Sequence, residues 1–183
     1  MRNHSACHLL QAALRTVLGS HVHQAGSMVD ENHLRFDFTH YSAMTAEEIN
    51  KTEALVNEMI FAALPVTIKE MPIAEAKTMG AMALFGEKYG DSVRMIQFGS
   101  SKELCGGTHV KSTSEIGHFK INSESSAAAG IRRIEAISGD KSEEYFKGLE
   151  KQITELSQLL KSKDVVRSIE KLIEENASLK SEV

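Results

Sequence analysis

The stretch that decides the fold and the chemistry of this chain is Leu104-Cys105-Gly106-Gly107-Thr108-His109-Val110. Two consecutive glycines disfavour a helix, because glycine loses more backbone freedom on folding than any other residue. The heptapeptide therefore predicts a loop after a strand, with a thiol at Cys105 and an imidazole at His109. Because they lack side chains, Gly106 and Gly107 let a substrate approach closely, and their N–H groups are candidates to bind an oxyanion.

A second pair of candidate ligands lies about a hundred residues earlier, in His4-Ser5-Ala6-Cys7-His8. His4 and His8 are four residues apart, which places both rings on one face of a helix. Together with Cys105 and His109 they offer three imidazoles and one thiol, a ligand set that suits zinc. The sequence therefore predicts one Zn²⁺ site built from the beginning and the middle of the chain. The alternative is that each pair is an ordinary structural feature, since neither spacing is specific by itself.

The helix that carries the first pair is predicted to run from an N-cap at Asn3 to about Leu18, with Gly19 as its C-terminal stop. Its apolar positions repeat at helical spacing and predict a buried stripe: Leu10, Leu14 and Val17. The two histidines lie beside this stripe. A metal bound there would sit at the rim of the core, within reach of a ligand.

The segments between the two ligand pairs predict an α+β fold, with an antiparallel sheet packed against helices. Alternating apolar residues predict a hairpin over 21–38 with a turn at 30–32. A capping box at 45–48 opens a helix that Pro65 terminates. Further strands are predicted at 66–71, 92–98, 116–121 and 131–137, with a short helix at 72–79. The small-residue run 125–130 is expected to separate the last two strands.

The composition of the chain is that of an ordinary globular protein, with 42% hydrophobic and 25% charged residues. No apolar run approaches the roughly 20 residues that cross a bilayer, and no signal-peptide pattern opens the chain, so no membrane partner is expected. Two cysteines cannot form a disulfide framework, which favours a reducing cytoplasm. The net charge of −4 argues against a generic nucleic-acid binder but allows a local cationic site.

The composition changes after Gly139, where proline is absent and Glu, Lys, Leu and Ser are abundant. Two apolar seams there step by three and four residues, as in coiled coils: Leu149, Ile153, Leu156 and Leu160, then Val165, Ile169, Leu172, Asn176 and Leu179. The seams are out of register, which predicts a break at 161–164. We therefore predict two parts, residues 1–139 and a helical extension 140–183 through which the chain can form a homodimer.

An ordered set of segments resembles the editing domain of alanyl-tRNA synthetase. The segments are NHSACHLLQAALR from residue 3, HVHQAGSMV from 21, LRFDFTH from 34, GAMALFGEKYGD from 80, ELCGGTHV from 103, EIGHFKI from 115 and GIRRIEAISG from 130. Free-standing proteins that deacylate mischarged tRNA and the threonyl-tRNA synthetase editing domain share the fold. One departure is Cys7, where the family usually has threonine. Its helical direction is about 100° from that of His8, so we interpret it as a packing residue.

The resemblance implies a deacylase that removes serine or glycine from alanine tRNA. It places the family's zinc ligands on the four residues named above, and Gln24 close to the reactive centre. Water would be positioned there by Gln24, Thr108 or the terminal ribose; without the resemblance, Gln24 reads as an exposed strand residue. The implied partners are the acceptor end of alanine tRNA and the rest of the synthetase, which the helical extension would join as a linker. The end of the chain at Val183 suggests a fragment.

Three basic residues are candidates for RNA contact. Lys88 lies near the tip of the glycine-punctuated segment 80–91, which is either an RNA-contacting loop or an ordinary solvated turn. Arg132 and Arg133 are adjacent on a predicted strand, so their side chains point to opposite faces. One of these two arginines is expected to meet a phosphate and the other to make a structural ion pair.

Three other functions fit the same residues. The chain could be a free-standing trans-editing protein, although its helical extension favours a synthetase fragment. It could be a zinc hydrolase with a small-molecule substrate, or a noncatalytic dimerisation module with a structural zinc. Aminoacylation and ATP binding are expected only of a full-length synthetase, because the 183 residues leave no space for an adenylating domain and show no phosphate-binding glycine loop.

Overall fold

The computed structural model describes residues 1–82 and 90–181. The chain divides into two compact units, one ending at Ser142 and the other starting at Glu143. The helices are α1 (Arg2–Leu18), α2 (Ala46–Phe61), α3 (Ile73–Thr78), α4 (Asp140–Leu159) and α5 (Val165–Ser181). The strands are β1 (Gln24–Val29), β2 (Leu34–Thr39), β3 (Val66–Pro72), β4 (Ser92–Phe98), β5 (Ser101–Leu104), β6 (Phe119–Ala128) and β7 (Ile131–Ser138).

The first unit contains two antiparallel sheets, which confirms the predicted α+β class. One sheet has four strands in the order β1-β2-β7-β6, and the other has three in the order β3-β4-β5. The predicted hairpin joins β1 to β2, and the Asp30 carboxylate accepts hydrogen bonds from the backbone N–H groups of Asn32 and His33 in its turn. This Asx-type turn fixes the register in which Val29 pairs with Leu34.

The main core lies where α1 and α2 pack against each other and against the four-stranded sheet. Its largest fully buried side chains alternate along β2 and recur at helical spacing along α1: Phe36, Phe38, Leu10 and Leu14. The core holds α1 rigidly against the sheet. The side chains on the first turns of α1 are therefore presented to the rest of the unit in a fixed orientation.

Asn57 joins α2 to the edge of the four-stranded sheet. Its side-chain amide donates to the Phe119 carbonyl and accepts from the Phe119 N–H, both at 2.9 Å. β6 lies at the edge of its sheet, so these backbone groups have no strand partner on the outer side. The buried asparagine satisfies them. The capping box predicted for the start of α2 is confirmed, because Thr45 and Glu48 exchange both of its hydrogen bonds.

The predicted N-cap at Asn3 is wrong. α1 begins at Arg2, after Met1, so Asn3 lies inside the first helical turn. Its buried side chain donates to the Asp30 carbonyl at 2.9 Å and accepts from the Ser138 hydroxyl at 2.6 Å. Asn3 therefore ties the start of α1 to the β1–β2 turn and to the end of β7. Long-range contacts of this kind compete with local capping and are invisible in a sequence pattern.

Two strand predictions also need correction. Residues 113–116 form a short 3₁₀ helix rather than the start of a strand, and β6 begins only at Phe119. The small residues at 125–128 do not separate two strands, because β6 continues through Ala128 and pairs with β7 across two register shifts. Small side chains lower the intrinsic strand propensity, but the ladder to a well-formed neighbour outweighs that deficit.

The second unit continues α4 and contains α5, and the two helices are separated near the predicted break at 161–164. Lys161 adopts a left-handed backbone conformation with φ of 49°, which ends the helical path after α4. Apolar seam residues on both helices remain solvent-exposed, among them Ile153, Leu156, Leu172 and Leu179. Within the described part of the chain, none of the helices has the length and apolar content of a membrane span.

Candidate metal centre

The loop that carries Cys105 and His109 is anchored to β4 by Arg94. The backbone N–H of Cys105 donates to the Arg94 carbonyl at 3.0 Å. The Arg94 guanidinium in turn donates to the carbonyls of Gly107 and Cys105. A strand residue thus holds the diglycine turn from both ends, and the thiol is aimed at the first turns of α1.

The four predicted ligands converge on one point. Their ligand atoms, from His4, His8, Cys105 and His109, all lie within 4.8 Å of one another. The Nε2 atoms of His8 and His109 are 3.1 Å apart, and Cys105 Sγ is 3.4 Å from His4 Nε2. Tetrahedral zinc with bonds of about 2.0–2.3 Å separates its ligand atoms by about 3.3–3.6 Å. The donor set and its spacing therefore fit a zinc ion.

The cluster polarises its own thiol. Burial by itself would raise the pKa of Cys105, but hydrogen bonds from His109, His4 and His8 outweigh it and lower that pKa to about 3. Burial would lower the pKa of His8, yet its hydrogen bonds to Cys105 and Glu103 raise it to about 9. Cys7 lacks such donors, and burial raises its pKa to about 12. Only Cys105 is therefore a thiolate at neutral pH, which is the form that binds metal.

Glu103 contacts the His8 ring at Nδ1, the nitrogen opposite the one that faces His109. Its Oε2 lies 2.5 Å from His8 Nδ1, and its Oε1 accepts from the Ser101 hydroxyl at 3.2 Å. In the neutral ring that binds a metal, a carboxylate that accepts a hydrogen bond from Nδ1–H leaves the Nε2 lone pair facing the cluster, as is usual for metal-bound histidine. Sequence reasoning missed this role. The spacing in the sequence could have indicated it. Residues two apart in an extended segment point to the same face, so Glu103 is expected on the same side as Cys105.

The surroundings of His109 favour an uncharged ring. Its side chain is buried, and its Nδ1 has no hydrogen-bond partner among the residues that the structure describes. Burial lowers its pKa, which favours the neutral ring. A neutral imidazole with one nitrogen directed at three other donors is the form that a metal requires.

The two glycines of the loop have different surroundings. A Cβ atom built on Gly107 would lie 2.0 Å from Cε1 of His4, so only glycine lets that ring reach the cluster. The His4 ring occupies the space that a side chain at position 107 would take, and a contact of Gly107 with substrate stays a prediction. A Cβ on Gly106 would meet no atom of the described structure within 4 Å, and that position remains open.

A cavity of about 80 Å³ opens beside the cluster, between α1, β1 and the end of β5. Its wall includes His4, His8 and Cys105, together with Gln24, whose amide donates to the Ser27 hydroxyl at 3.1 Å. The structure therefore brings Gln24 to the ligand cluster. Thr108 is exposed on the loop and is absent from the described wall of the cavity.

Both arginines predicted to face RNA are held in two-point ion pairs. Arg132 donates to the two carboxylate oxygens of Glu124 at 2.6 and 2.8 Å, and Arg133 donates to those of Asp37 at 2.7 and 2.8 Å. The expected division, with one arginine free for phosphate, is therefore not seen. Contact of either residue with RNA stays a prediction, and Lys88 lies outside the described residues.

Sequence comparisons relate the chain to known proteins. Residues 93–135 match the threonyl and alanyl tRNA synthetase second additional domain. The chain is 53% identical over 184 residues to the alanine–tRNA ligase of Pelotomaculum thermopropionicum, covering 99% of the chain and 21% of that protein. It is 51% identical to the enzyme of Flavobacterium psychrophilum (100% and 21%) and 56% identical to alanine–tRNA ligase 1 of Lachnoclostridium phytofermentans (99% and 21%).

The match over residues 93–135 thus places the chain in the class of tRNA-synthetase accessory domains of the threonyl and alanyl type. The relatives narrow this class further, because each of them matches 99–100% of this chain. The chain belongs to the alanyl-tRNA synthetase family. It spans about a fifth of the length of the relatives it matches.

Proposed function

We propose that this chain hydrolyses the ester bond of mischarged Ser-tRNA(Ala) and Gly-tRNA(Ala), as the proofreading part of an alanyl-tRNA synthetase. The observation that carries the proposal is the convergence of four candidate metal-ligand atoms beside a small cavity, whose wall includes His4, His8 and Cys105. A volume of about 80 Å³ has room for several water molecules. Such a space suits a small aminoacyl group.

Discrimination between similar amino acids explains why such a site is needed. An aminoacylation pocket shaped for alanine cannot strongly exclude glycine, which is smaller, or serine, which adds one hydroxyl. Differences of this kind are worth only about 1–3 kcal/mol. A second site that recognises the wrong product by hydrogen bonding removes the errors that the first site admits.

The metal would be held by His4, His8, Cys105 and His109. A bound Zn²⁺ ion would supply positive charge that orients the substrate's amino group and polarises its ester. With four protein ligands in place, orientation is the better supported role, since tetrahedral zinc then has no open position. Cys105 does not act as a nucleophile in this scheme, because its thiolate is one of the ligands.

Polar groups near the cavity would position the water and the substrate. Gln24 both donates and accepts hydrogen bonds, so it can hold a water against the ester carbonyl. Thr108, Gly106 and Gly107 lie on the adjoining loop, outside the described wall of the cavity, and their proposed contacts with the ribose end of the substrate and the developing oxyanion rest on the family resemblance. The role of Gln24 follows from its position in the wall of the cavity and its chemical type.

The partners proposed for the chain are the acceptor end of alanine tRNA and the rest of the synthetase, in the cytoplasm, where Cys105 would stay reduced. The net charge of −4 predicts weak RNA affinity for this part alone. The exposed apolar seams on α4 and α5 support pairing of these helices in a homodimer. Sedimentation of the chain at several concentrations tests the dimer, and a monomer at all of them would exclude it.

The function is tested by deacylation of alanine tRNA charged with serine, glycine or alanine. We expect release of serine and glycine but not of alanine, and loss of that activity in the His8→Ala variant and with a chelator. His23→Ala is the matched control, since His23 is exposed and lies outside the cluster. Equal rates on serylated and alanylated tRNA would contradict proofreading.

A separate experiment addresses the noncatalytic alternative. If zinc is purely structural, Cys105→Ala should unfold the first unit. If zinc serves hydrolysis, the variant should keep its secondary structure and a cooperative thermal transition but lose deacylation. Circular dichroism and the deacylation assay on one sample distinguish the two.

A further inference from the structure

Gln11 carries a buried hydrogen-bond acceptor without a partner. The residue is only 5% exposed, and its Oε1 makes no hydrogen bond to any residue that the structure describes. Gln11 follows His4 by seven positions and His8 by three, so it projects from the same face of α1. It lines the 80 Å³ cavity beside the metal ligands.

An unsatisfied buried acceptor is unusual, because leaving such a group unpaired is costly and the large majority of buried side-chain polar atoms have a partner. Other polar groups in the same wall are already engaged. Gln24 donates to Ser27, and the two carboxylate oxygens of Glu103 accept from His8 and Ser101. Among the fully buried side-chain atoms of this wall, Gln11 Oε1 is the acceptor that has no partner in the described structure.

We propose that Gln11 determines specificity, by accepting a hydrogen bond from the side-chain hydroxyl of the aminoacyl group in the cavity. The inference rests on the proposed function and names the residue that reads the substrate. A seryl group brings the donor that Oε1 lacks. An alanyl group fills the same space with a methyl and leaves the acceptor unpaired.

The same contact accounts for acceptance of glycine. A glycyl group has no side chain, so a water molecule can remain beside Gln11 and donate to Oε1. The methyl of alanine displaces that water without replacing its hydrogen bond, which loses affinity. One acceptor thus favours both serine, which is larger than alanine, and glycine, which is smaller. Cavity size alone would not favour both of them over alanine.

The test measures binding by the zinc-loaded 183-residue chain, using seryl, glycyl and alanyl groups joined by a stable amide to 3′-amino-3′-deoxyadenosine. Titration calorimetry should show the seryl and glycyl compounds bound about 5- to 100-fold more tightly than the alanyl compound, the range for one buried hydrogen bond. Gln11→Met keeps the length but removes the acceptor, and should bring the three affinities within about two-fold. Gln11→Glu keeps an acceptor and should preserve the seryl preference.

Gln11→Leu replaces Gln11→Met if the methionine variant does not fold, and zinc content and melting temperature are compared for every variant. A wild-type chain that binds all three compounds equally, or a folded Gln11→Met chain that keeps the wild-type ratio, overturns the inference. Failure of the proposed function looks different. In that case the binding preference and its dependence on Gln11 are observed, but serylated tRNA is not hydrolysed.

Discussion

His8 Nδ1 lies 2.5 Å from Oε2 of Glu103, and both side chains are buried. The contact joins the first helix to a strand about a hundred residues later, and it decides which ring nitrogen of His8 faces the other ligands. A buried carboxylate beside a ligating histidine also increases the basicity of that ligand. The properties of the centre therefore depend on a residue outside the ligand set.

The first prediction concerns this carboxylate. Glu103→Gln keeps the shape of the side chain but removes its charge, and should lower zinc affinity by about ten-fold. Competition with a chromogenic chelator measures the affinity. Glu135→Gln is the control, because Glu135 is exposed and bonds only to Ser123 among the described side-chain hydrogen bonds. Equal zinc affinity in the two variants would exclude the proposed role of Glu103.

The second prediction compares the two glycines of the loop. Gly107→Ala places a Cβ 2.0 Å from His4 Cε1, so the ring or the loop must move away from the cluster. Zinc affinity should fall by about ten-fold or more, the loss typical of a disturbed ligand environment. Gly106→Ala adds the same methyl one residue earlier, where nothing lies within 4 Å. It should bind zinc like the wild type, measured by the same chelator competition.

The third prediction uses the chain's two cysteines as probe and control. In metal-free protein, iodoacetamide should label Cys105 at a rate that hardly changes between about pH 5 and pH 8, since a pKa of about 3 keeps it ionised throughout. Cys7, buried and with a pKa of about 12, should remain unlabelled. Peptide mass spectrometry locates the label. A rate at Cys105 that rises ten-fold per pH unit, as for an unperturbed thiol, would contradict the prediction, and zinc should protect Cys105.

The fourth prediction concerns stability. Asn57→Ala removes both hydrogen bonds to the Phe119 backbone and leaves two buried groups unpaired, so the free energy of unfolding should fall by about 2 kcal/mol. Urea denaturation measures the change. Asn50→Ala, at an exposed position of the same helix, should stay within about 0.5 kcal/mol of the wild type. Similar losses in the two variants would show that the contact to Phe119 is not the cause.

Much of the fold could be predicted because its signals are local. The β1–β2 hairpin, the capping box of α2 and the break between α4 and α5 each depend on neighbouring residues, and each is found. The misplaced features depend on distant partners. Asn3 is held by Asp30 and Ser138 rather than by its own helix end, and β6 is extended by its pairing with β7.

The sequence alone determined the chemical types available to the site, because the spacing of His4 and His8 and the run around Cys105 are properties of the chain itself. Only the tertiary structure decided how these groups act. It placed Glu103 behind His8, filled the space at Gly107 with the His4 ring, and left Gln11 unpaired in the cavity. The physical reason is that hydrogen bonding and desolvation depend on which groups meet in space. Residues a hundred positions apart meet only after the core has packed.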